Sequence, residues 1–280
     1  MISLLSIGVS CRNAQSHISI QNENNWLIDK GLTKPESMLY DSDLDVFYIS
    51  NGEAYQPGTS GFLSKVSSAG ELLSLRWIDS LSRPTGMALR DGKLYVADVN
   101  ALRVIDTQTG ELIKTFKEPI PNSGLNDVTI SSKGEVFVTA SFVHSVFKLE
   151  NDTLVPWLQD EDLLKWANGI TSHRNKIMVG GLHLCAIDIE SKAINKITLV
   201  PEFSDFDGLI PDRQGGYIAT TVEGGQLLHI DILGNTIELK TDKEVYLGDL
   251  TFIRDQLRIF IPRGNHATND YFISVIELTK

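Results

Sequence analysis

Carboxylate and amide side chains recur at regular intervals along this 280-residue chain. The recurring positions, called anchors below, are Glu36, Thr85, Asn126, Asn168, Asp207 and Gly248; four of them are carboxylates or amides, and Asp127 and Asp249 directly follow Asn126 and Gly248. Carboxylates gathered at one point are costly unless a cation neutralises them. Carboxylate and amide oxygens, without thiolate or imidazole, suit a hard ion such as Ca²⁺ better than Zn²⁺. If the fold brings the anchors together, they predict one divalent cation, most simply Ca²⁺.

A second interpretation of the same residues needs no ion. Asn-Gly and Asp-Gly, as in Asn168-Gly169 and Asp207-Gly208, are common turn dipeptides because they tolerate unusual backbone angles. The sequence alone leaves both interpretations open.

The anchors recur because the chain is built from repeats. Asn126–Glu150 contains a short strand, a tight turn at Lys133-Gly134, a second apolar strand, a loop and a third strand. Anchors from Thr85 to Gly248 are separated by 41, 42, 39 and 41 residues, whereas the first copy is longer through an insertion in Asn51–Gly61. This period is typical of a four-stranded propeller blade. Six copies predict an all-β, six-bladed β-propeller.

The two ends of the chain predict how the ring closes. The strand-like segment Asn25–Asp29 precedes the first anchor, and the sixth copy ends near Leu278 without a fourth strand. We therefore expect the N-terminal strand to complete the last blade, which pairs otherwise exposed edges. The propeller is predicted over 21–280. The helical spacing of Asp160–Ala167 predicts one or two helical turns within a connection.

Four short motifs resemble the SMP-30/gluconolactonase family of six-bladed propellers, which includes luciferin-regenerating-enzyme-like proteins. They are PESMLY with Glu36, LNDVTI with Asn126, ANGITS with Asn168 and FDGLIP with Asp207. The resemblance implies a divalent cation held by these four side chains and hydrolysis of a lactone, a related ester or an organophosphate. Asp207 would also be the general base. Family members that act on sugar lactones carry an arginine two residues before the metal-binding Asn, where this chain has Gly124.

Histidines in loops on the anchor side extend the predicted site. His144 and His183 are candidate catalytic residues, and His266 lies in a corresponding loop. Imidazole titrates near neutral pH and can transfer protons or contact substrate. Exposed loop residues without a catalytic role are the plainer interpretation. Because propellers host many functions, a non-catalytic propeller that binds a protein, peptide or glycan on this face is the alternative to a hydrolase.

Charge and hydropathy limit the partners. The net charge is −11 and no Lys/Arg cluster interrupts it, so we expect a small-molecule substrate and no nucleic acid. No segment is long and apolar enough to predict a membrane span. Residues 1–20 resemble the end of an export signal or form a flexible N-terminus, with Cys11 as a lipid-anchor position. A periplasmic or otherwise exported protein is the expectation, with a cytoplasmic one as the alternative, and the oligomeric state stays open.

Overall fold

The computed structural model describes residues 18–27, 30–212, 214–241 and 245–279. The described chain forms six antiparallel sheets, which confirms the predicted all-β, six-bladed propeller. The export signal and the lipid-anchor position Cys11 fall almost wholly or entirely outside the described residues. No helix within the described ranges is long and apolar enough to cross a membrane.

The strands follow one another blade by blade from the second strand onward. The first strand is β1 (Ile20–Leu27). Blade 1 contains β2 (Met38–Asp41), β3 (Val46–Asn51), β4 (Gly61–Ser67) and β5 (Leu72–Leu81); blade 2 contains β6 (Pro84–Arg90), β7 (Lys93–Asp98), β8 (Ala101–Asp106) and β9 (Leu112–Lys117). Blade 3 contains β10 (Leu125–Ile130), β11 (Val136–Ala140), β12 (Ser145–Glu150) and β13 (Thr153–Gln159); blade 4 contains β14 (Ile170–His173), β15 (Lys176–Val179), β16 (Cys185–Asp188) and β17 (Ile194–Lys196). Blade 5 contains β18 (Phe206–Pro211), β19 (Tyr217–Thr221), β20 (Gln226–Ile230) and β21 (Thr236–Thr241); blade 6 contains β22 (Tyr246–Leu247), β23 (Thr251–Ile253), β24 (Arg258–Asn265) and β25 (Asp270–Leu278).

Blade 6 takes its outermost strand from the beginning of the chain. β1 pairs antiparallel with β25, from Ile20 opposite Leu278 to Leu27 opposite Ile273. Glu23 of β1 also forms ion pairs with Lys240 of blade 5 and Arg263 of β24. The two ends of the chain therefore share one sheet.

The segment for which one or two helical turns were predicted forms hydrogen-bonded turns and no longer helix. Residues 161–166 form hydrogen-bonded turns, in which the Leu164 amide donates to Asp160 O at 3.1 Å and the Ala167 amide donates to Leu164 O at 2.9 Å. The change from an i+4 to an i+3 bond ends the helical pattern after one turn. Among the described residues, the helical element is a single 3₁₀ turn, Ser141–Val143.

The hydrophobic core lies between blades rather than on the axis. The cluster around Leu102, Leu125 and Phe147 joins blades 2 and 3, and five similar clusters join the other neighbouring pairs. Apolar burial thus seals each blade against the next. The inner strands also line a cavity of about 240 Å³, whose lining residues are mostly apolar and include the carboxylates Asp127 and Asp249.

Candidate metal centre

The anchors stand at the beginnings of the inner strands. Asn126 and Asp207 lie in β10 and β18, whereas Glu36 and Asn168 lie two residues before β2 and β14. The negative charge of Asp207 contributes to raising the pKa of Glu36, and the Asn168 amide donates a hydrogen bond that opposes the rise in the pKa of Asp207. The structure therefore gathers side chains from blades 1, 4 and 5 at one mouth of the channel.

The glycines after the anchors serve close packing rather than turns. A Cβ on Gly169 would lie 1.7 Å from Asp207 O, and one on Gly86 would lie 1.9 Å from Asp127 Oδ1. Neither glycine has a positive φ, which is what a left-handed turn position would require. Neighbouring blades approach so closely here that no side chain fits. The turn interpretation does not explain these dipeptides.

The amide of Asn126 has a fixed orientation. Ser141 Oγ donates to Ala167 O at 2.6 Å, so this hydroxyl can only accept from Asn126, whose Nδ2 lies 3.1 Å away. The Nδ2 atom therefore faces Ser141, and Oδ1 faces away from it. Asn126 Oδ1 is buried and has no hydrogen-bond partner. An unpartnered buried carbonyl oxygen is costly and calls for a positive or hydrogen-bonding group.

Glu36 also has a buried side-chain oxygen without a hydrogen-bond partner, and here the oxygen belongs to a carboxylate. The residue keeps some exposed surface, but its Oε2 atom is buried without a hydrogen-bond partner. Its backbone is held by both neighbouring segments, since the Glu36 amide donates to Ser50 O at 3.1 Å and the Asp249 amide donates to Glu36 O at 2.7 Å. Burial, followed by the charge of Asp207, raises the pKa of Glu36 well above its ordinary value.

Asp207 is the second carboxylate of the site, and its negative charge repels that of Glu36. It is 4% exposed, and burial together with the charge of Asp249 raises its pKa to about 8. Two acids with raised pKa values, neither in an ion pair with a described cationic side chain, and two unpartnered oxygens describe a site whose negative charge is incompletely balanced. Oxygen ligands of this kind fit a hard divalent cation. No group of three His, Cys, Asp or Glu among the described residues could hold a metal ion, so such a site depends on the two amides.

Asp127 and Asp249 differ from the anchors because protein donors already occupy them. Asp127 accepts hydrogen bonds from the Val128 and Ile170 amides, at 2.7 Å and 2.8 Å. Asp249 accepts from the Leu250 amide at 2.8 Å and from Ser37 Oγ at 3.0 Å. Each carboxylate thus ties its own blade to the next. Their oxygens hold blades together.

The candidate histidines lie in the loops between β11 and β12 and between β15 and β16. His144 Nδ1 lies 3.1 Å from Ser141 O and 3.2 Å from the Trp166 amide, and its Nε2 lies 3.7 Å from Glu161 Oε2. His183 is half-buried and makes no polar side-chain contact with the described residues. The structure records no contact between either histidine and Glu36 or Asp207. Their catalytic role stays a prediction.

Sequence reasoning missed three residues at the mouth. Tyr55 donates to Leu125 O and Tyr246 donates to Pro35 O, both at 2.8 Å. Burial and the charge of Glu36 raise the pKa of both phenols. Arg83 is the third, and its charge works against the raised pKa of Glu36. The signal that could have found it is its place two residues before the anchor Thr85.

Position 124, where sugar-lactone members of the resembled family carry an arginine, has no room for a side chain in this chain. Gly124 has a φ of +65°, and a Cβ built there would lie 2.8 Å from Cδ2 of Phe142. The Phe142 ring packs edge-on against Tyr55 with centroids 5.4 Å apart. Phe142 and Trp166 are about half exposed, so this sector of the rim is aromatic.

Comparison with known proteins shows similarity in fold. No family model matches the chain, and no curated protein matches it. A gluconolactonase from Xanthomonas campestris is 15% identical with a TM-score of 0.69, covering 92% of this chain and 89% of its own. A virginiamycin B lyase from Staphylococcus aureus is 15% identical with a TM-score of 0.62, covering 94% and 88%. A luciferin-regenerating enzyme is 12% identical with a TM-score of 0.63, covering 88% and 92%.

These neighbours are each similar to this chain in fold, and they differ in the activities that their names state. They include gluconolactonase and luciferin-regenerating enzyme, the proteins whose family the sequence motifs resemble, and also a lyase. At such identities the likeness establishes the fold. The chain is a six-bladed propeller of the type found in gluconolactonases.

Proposed function

We propose that the protein is a metal-dependent hydrolase of a lactone or a related ester. One divalent cation, Ca²⁺ by its preference for oxygen ligands, would be held by Glu36, Asn126, Asn168 and Asp207. The observation that carries the proposal is the pair of buried, unpartnered oxygens, Glu36 Oε2 and Asn126 Oδ1, beside a second buried carboxylate. The gluconolactonases among the structural neighbours support it.

The bound cation would supply the positive charge that polarises the ester carbonyl. The chain's own residues would do the rest. Asp207 would accept a proton from the attacking water, whose oxygen bonds to the carbonyl carbon while the ester C–O bond breaks. The departing alkoxide takes up a proton and leaves as an alcohol. His144 and His183 stay predictions for that proton transfer or for substrate contact.

The first experiment is a calcium titration of chelator-stripped protein by isothermal calorimetry. The wild type should bind one ion, and Asp207→Ala and Glu36→Gln should both lose binding while their melting curves stay cooperative. Glu53→Gln is the matched control, because Glu53 is an exposed carboxylate of the same rim paired with Lys34 at 3.2 Å. Absence of calcium binding by the wild type, or retention by both site variants, would contradict the metal assignment.

The second experiment identifies the reaction. A panel of lactones and esters is incubated with calcium-loaded protein, and the products are weighed by mass spectrometry. Hydrolysis adds one water to a lactone, whereas ring opening by elimination, the lyase alternative, leaves the mass unchanged. Turnover that is lost in Asp207→Ala supports the hydrolase. A protein that binds calcium but turns over nothing on the panel supports the non-catalytic alternative.

A further inference from the structure

Arg83 is a buried charge without a close partner. The residue is 8% exposed, and its guanidinium makes one long hydrogen bond to the described chain, from Nη1 to Pro84 O at 3.5 Å. No described carboxylate lies within 4.0 Å of its nitrogen atoms, in contrast to Arg103, whose Nε lies 3.0 Å from Asp98 Oδ2. A buried, unpaired guanidinium is costly to the fold and is more readily explained by a ligand than by stability.

The side chain of Arg83 is also held in place. A Cβ on Gly52 would lie 2.7 Å from Arg83 Cδ and 3.4 Å from Nη1, so the arginine stem lies directly on the glycine backbone. The Arg83 amide donates to Asp98 Oδ1 at 2.8 Å, which fixes the backbone. The guanidinium is therefore presented in one position, which reduces the entropy lost when a ligand binds.

Arg83 lies where it can act on a ligand of the metal centre. Burial raises the pKa values of Glu36 and Asp207, and the charge of Arg83 opposes that rise. Burial, followed by the charges of Lys34 and Arg83, lowers the pKa of His266 in blade 6. A divalent cation would balance the two anchor carboxylates. The positive charge of Arg83 would then be left over at the mouth, where it favours an anionic ligand.

The place of Arg83 in the repeat supports the same conclusion. It stands two residues before the anchor of blade 2, as Gly124 stands two residues before the anchor of blade 3. The Gly124 position is covered by the ring of Phe142. The arginine at this mouth therefore belongs to blade 2 and not to blade 3. The part of the rim near Gly124, which has no arginine, is aromatic rather than polar.

We propose that Arg83 binds a carboxylate on the substrate, so that the protein acts on lactones or esters that carry an additional anionic group. This inference rests on the proposed function for its reaction, but the binding it describes does not require turnover. A carboxylate accepts two parallel hydrogen bonds from guanidinium, a geometry that a neutral amide cannot match.

The test for binding uses a matched pair that cannot be hydrolysed. Tetrahydrofuran-2-carboxylate and tetrahydrofuran-2-carboxamide are titrated by calorimetry into calcium-loaded wild type, Arg83→Gln and Arg83→Lys. The wild type should bind the carboxylate more tightly by at least about tenfold, as expected for a charged hydrogen-bonded pair. Arg83→Gln should lose the preference, and Arg83→Lys should retain part of it. The control Arg76→Gln removes one positive charge from an exposed arginine paired with Asp79 and should change nothing.

The test for turnover uses the corresponding lactones, 5-oxotetrahydrofuran-2-carboxylate and its carboxamide. Preference for the carboxylate in kcat/KM should disappear in Arg83→Gln. A preference that survives in Arg83→Gln would show that the cation, not Arg83, holds the anion and would overturn the proposal. Equal binding of the carboxylate and the carboxamide by the wild type would overturn it even if Arg83→Gln failed to fold.

The outcomes also separate this inference from the proposed function. Arg83-dependent binding without hydrolysis would refute the proposed function and leave the anion site supported. Hydrolysis without a carboxylate preference would refute the anion site and leave the proposed function supported.

Discussion

Asn126 Nδ2 donates to Ser141 Oγ at 3.1 Å, and this contact leaves the amide oxygen of Asn126 buried and without a hydrogen-bond partner. The serine itself touches none of the other anchors through a side-chain hydrogen bond. It is a positioning residue, because its own donor is committed to Ala167 O. The orientation of one predicted ligand thus depends on a residue fifteen positions further along the chain.

Ser141→Ala should weaken calcium binding by about ten- to a hundredfold, the usual effect of removing a group that orients a ligand. The free amide can then rotate, and Ala167 O loses its donor. Calorimetry on chelator-stripped protein measures the change. Ser145→Ala is the control, since Ser145 Oγ donates to Val143 O at 2.8 Å in the same blade without touching Asn126. Equal affinity in wild type and Ser141→Ala would contradict the positioning role.

The metal-free protein should become less stable as the pH rises from about 5 to 8, because the folded state holds protons that the unfolded state has released. Asp207, with its pKa raised to about 8, and Asp249, with its pKa raised to about 6, are protonated in the folded chain where free carboxyls are ionised. Each such group lowers the free energy of unfolding by at most about 1.4 kcal/mol per pH unit. Calcium, which binds the ionised form, should remove this loss.

Thermal melting between these pH values, in chelator and in excess calcium, checks the prediction. The difference in Tm between the two conditions should grow with pH. Asp207→Asn cannot ionise at this position and should show a shallower fall in chelator. A metal-free Tm that rises steadily over the range, with Asp207→Asn indistinguishable from wild type, would be incompatible with the raised pKa of Asp207.

Gly169→Ala should destabilise the propeller by several kcal/mol, since overpacking against rigid backbone typically costs about 1–3 kcal/mol and sometimes more. The new Cβ would lie 1.7 Å from Asp207 O, so blades 4 and 5 must separate. Chemical denaturation measures the loss. Gly58→Ala is the control, because nothing lies within 4 Å of a Cβ there. Equal stability of the two variants would show that the blades do not approach as described.

Gly124→Arg should destabilise the protein, although it introduces the residue type that sugar-lactone members of the resembled family carry at that position. The substitution places a side chain at a φ of +65° and against the Phe142 ring, which together should cost about 1–3 kcal/mol. Gly124→Arg with Phe142→Ala should recover part of the lost stability by removing the clash. Melting curves of the single and double variants measure this. A single variant as stable as wild type would contradict the packing.

The sequence by itself determined the architecture, and it predicted which residues form the proposed metal site. A repeat of about forty residues specifies one four-stranded blade, because each blade buries its apolar faces only against the next. The second strand of blade 3, Val136–Ala140, is buried at every position, as expected for a strand packed between neighbouring blades. Register in the repeat placed the anchors, and the family resemblance implied that four of them, Glu36, Asn126, Asn168 and Asp207, hold a cation.

Only the tertiary structure decided which oxygens are available at the mouth. Asp127 and Asp249 have the same chemistry as the anchors, but backbone amides from neighbouring blades occupy them, and no local pattern records that. The structure also added Arg83 and Tyr55 to the site. Local sequence does not place them there, because the groups near them at the mouth belong to other blades or distant segments. Whether an oxygen already has a hydrogen-bond donor, and whether a charge is balanced, depends on groups that are distant in sequence. Those groups come together only when the ring of blades closes.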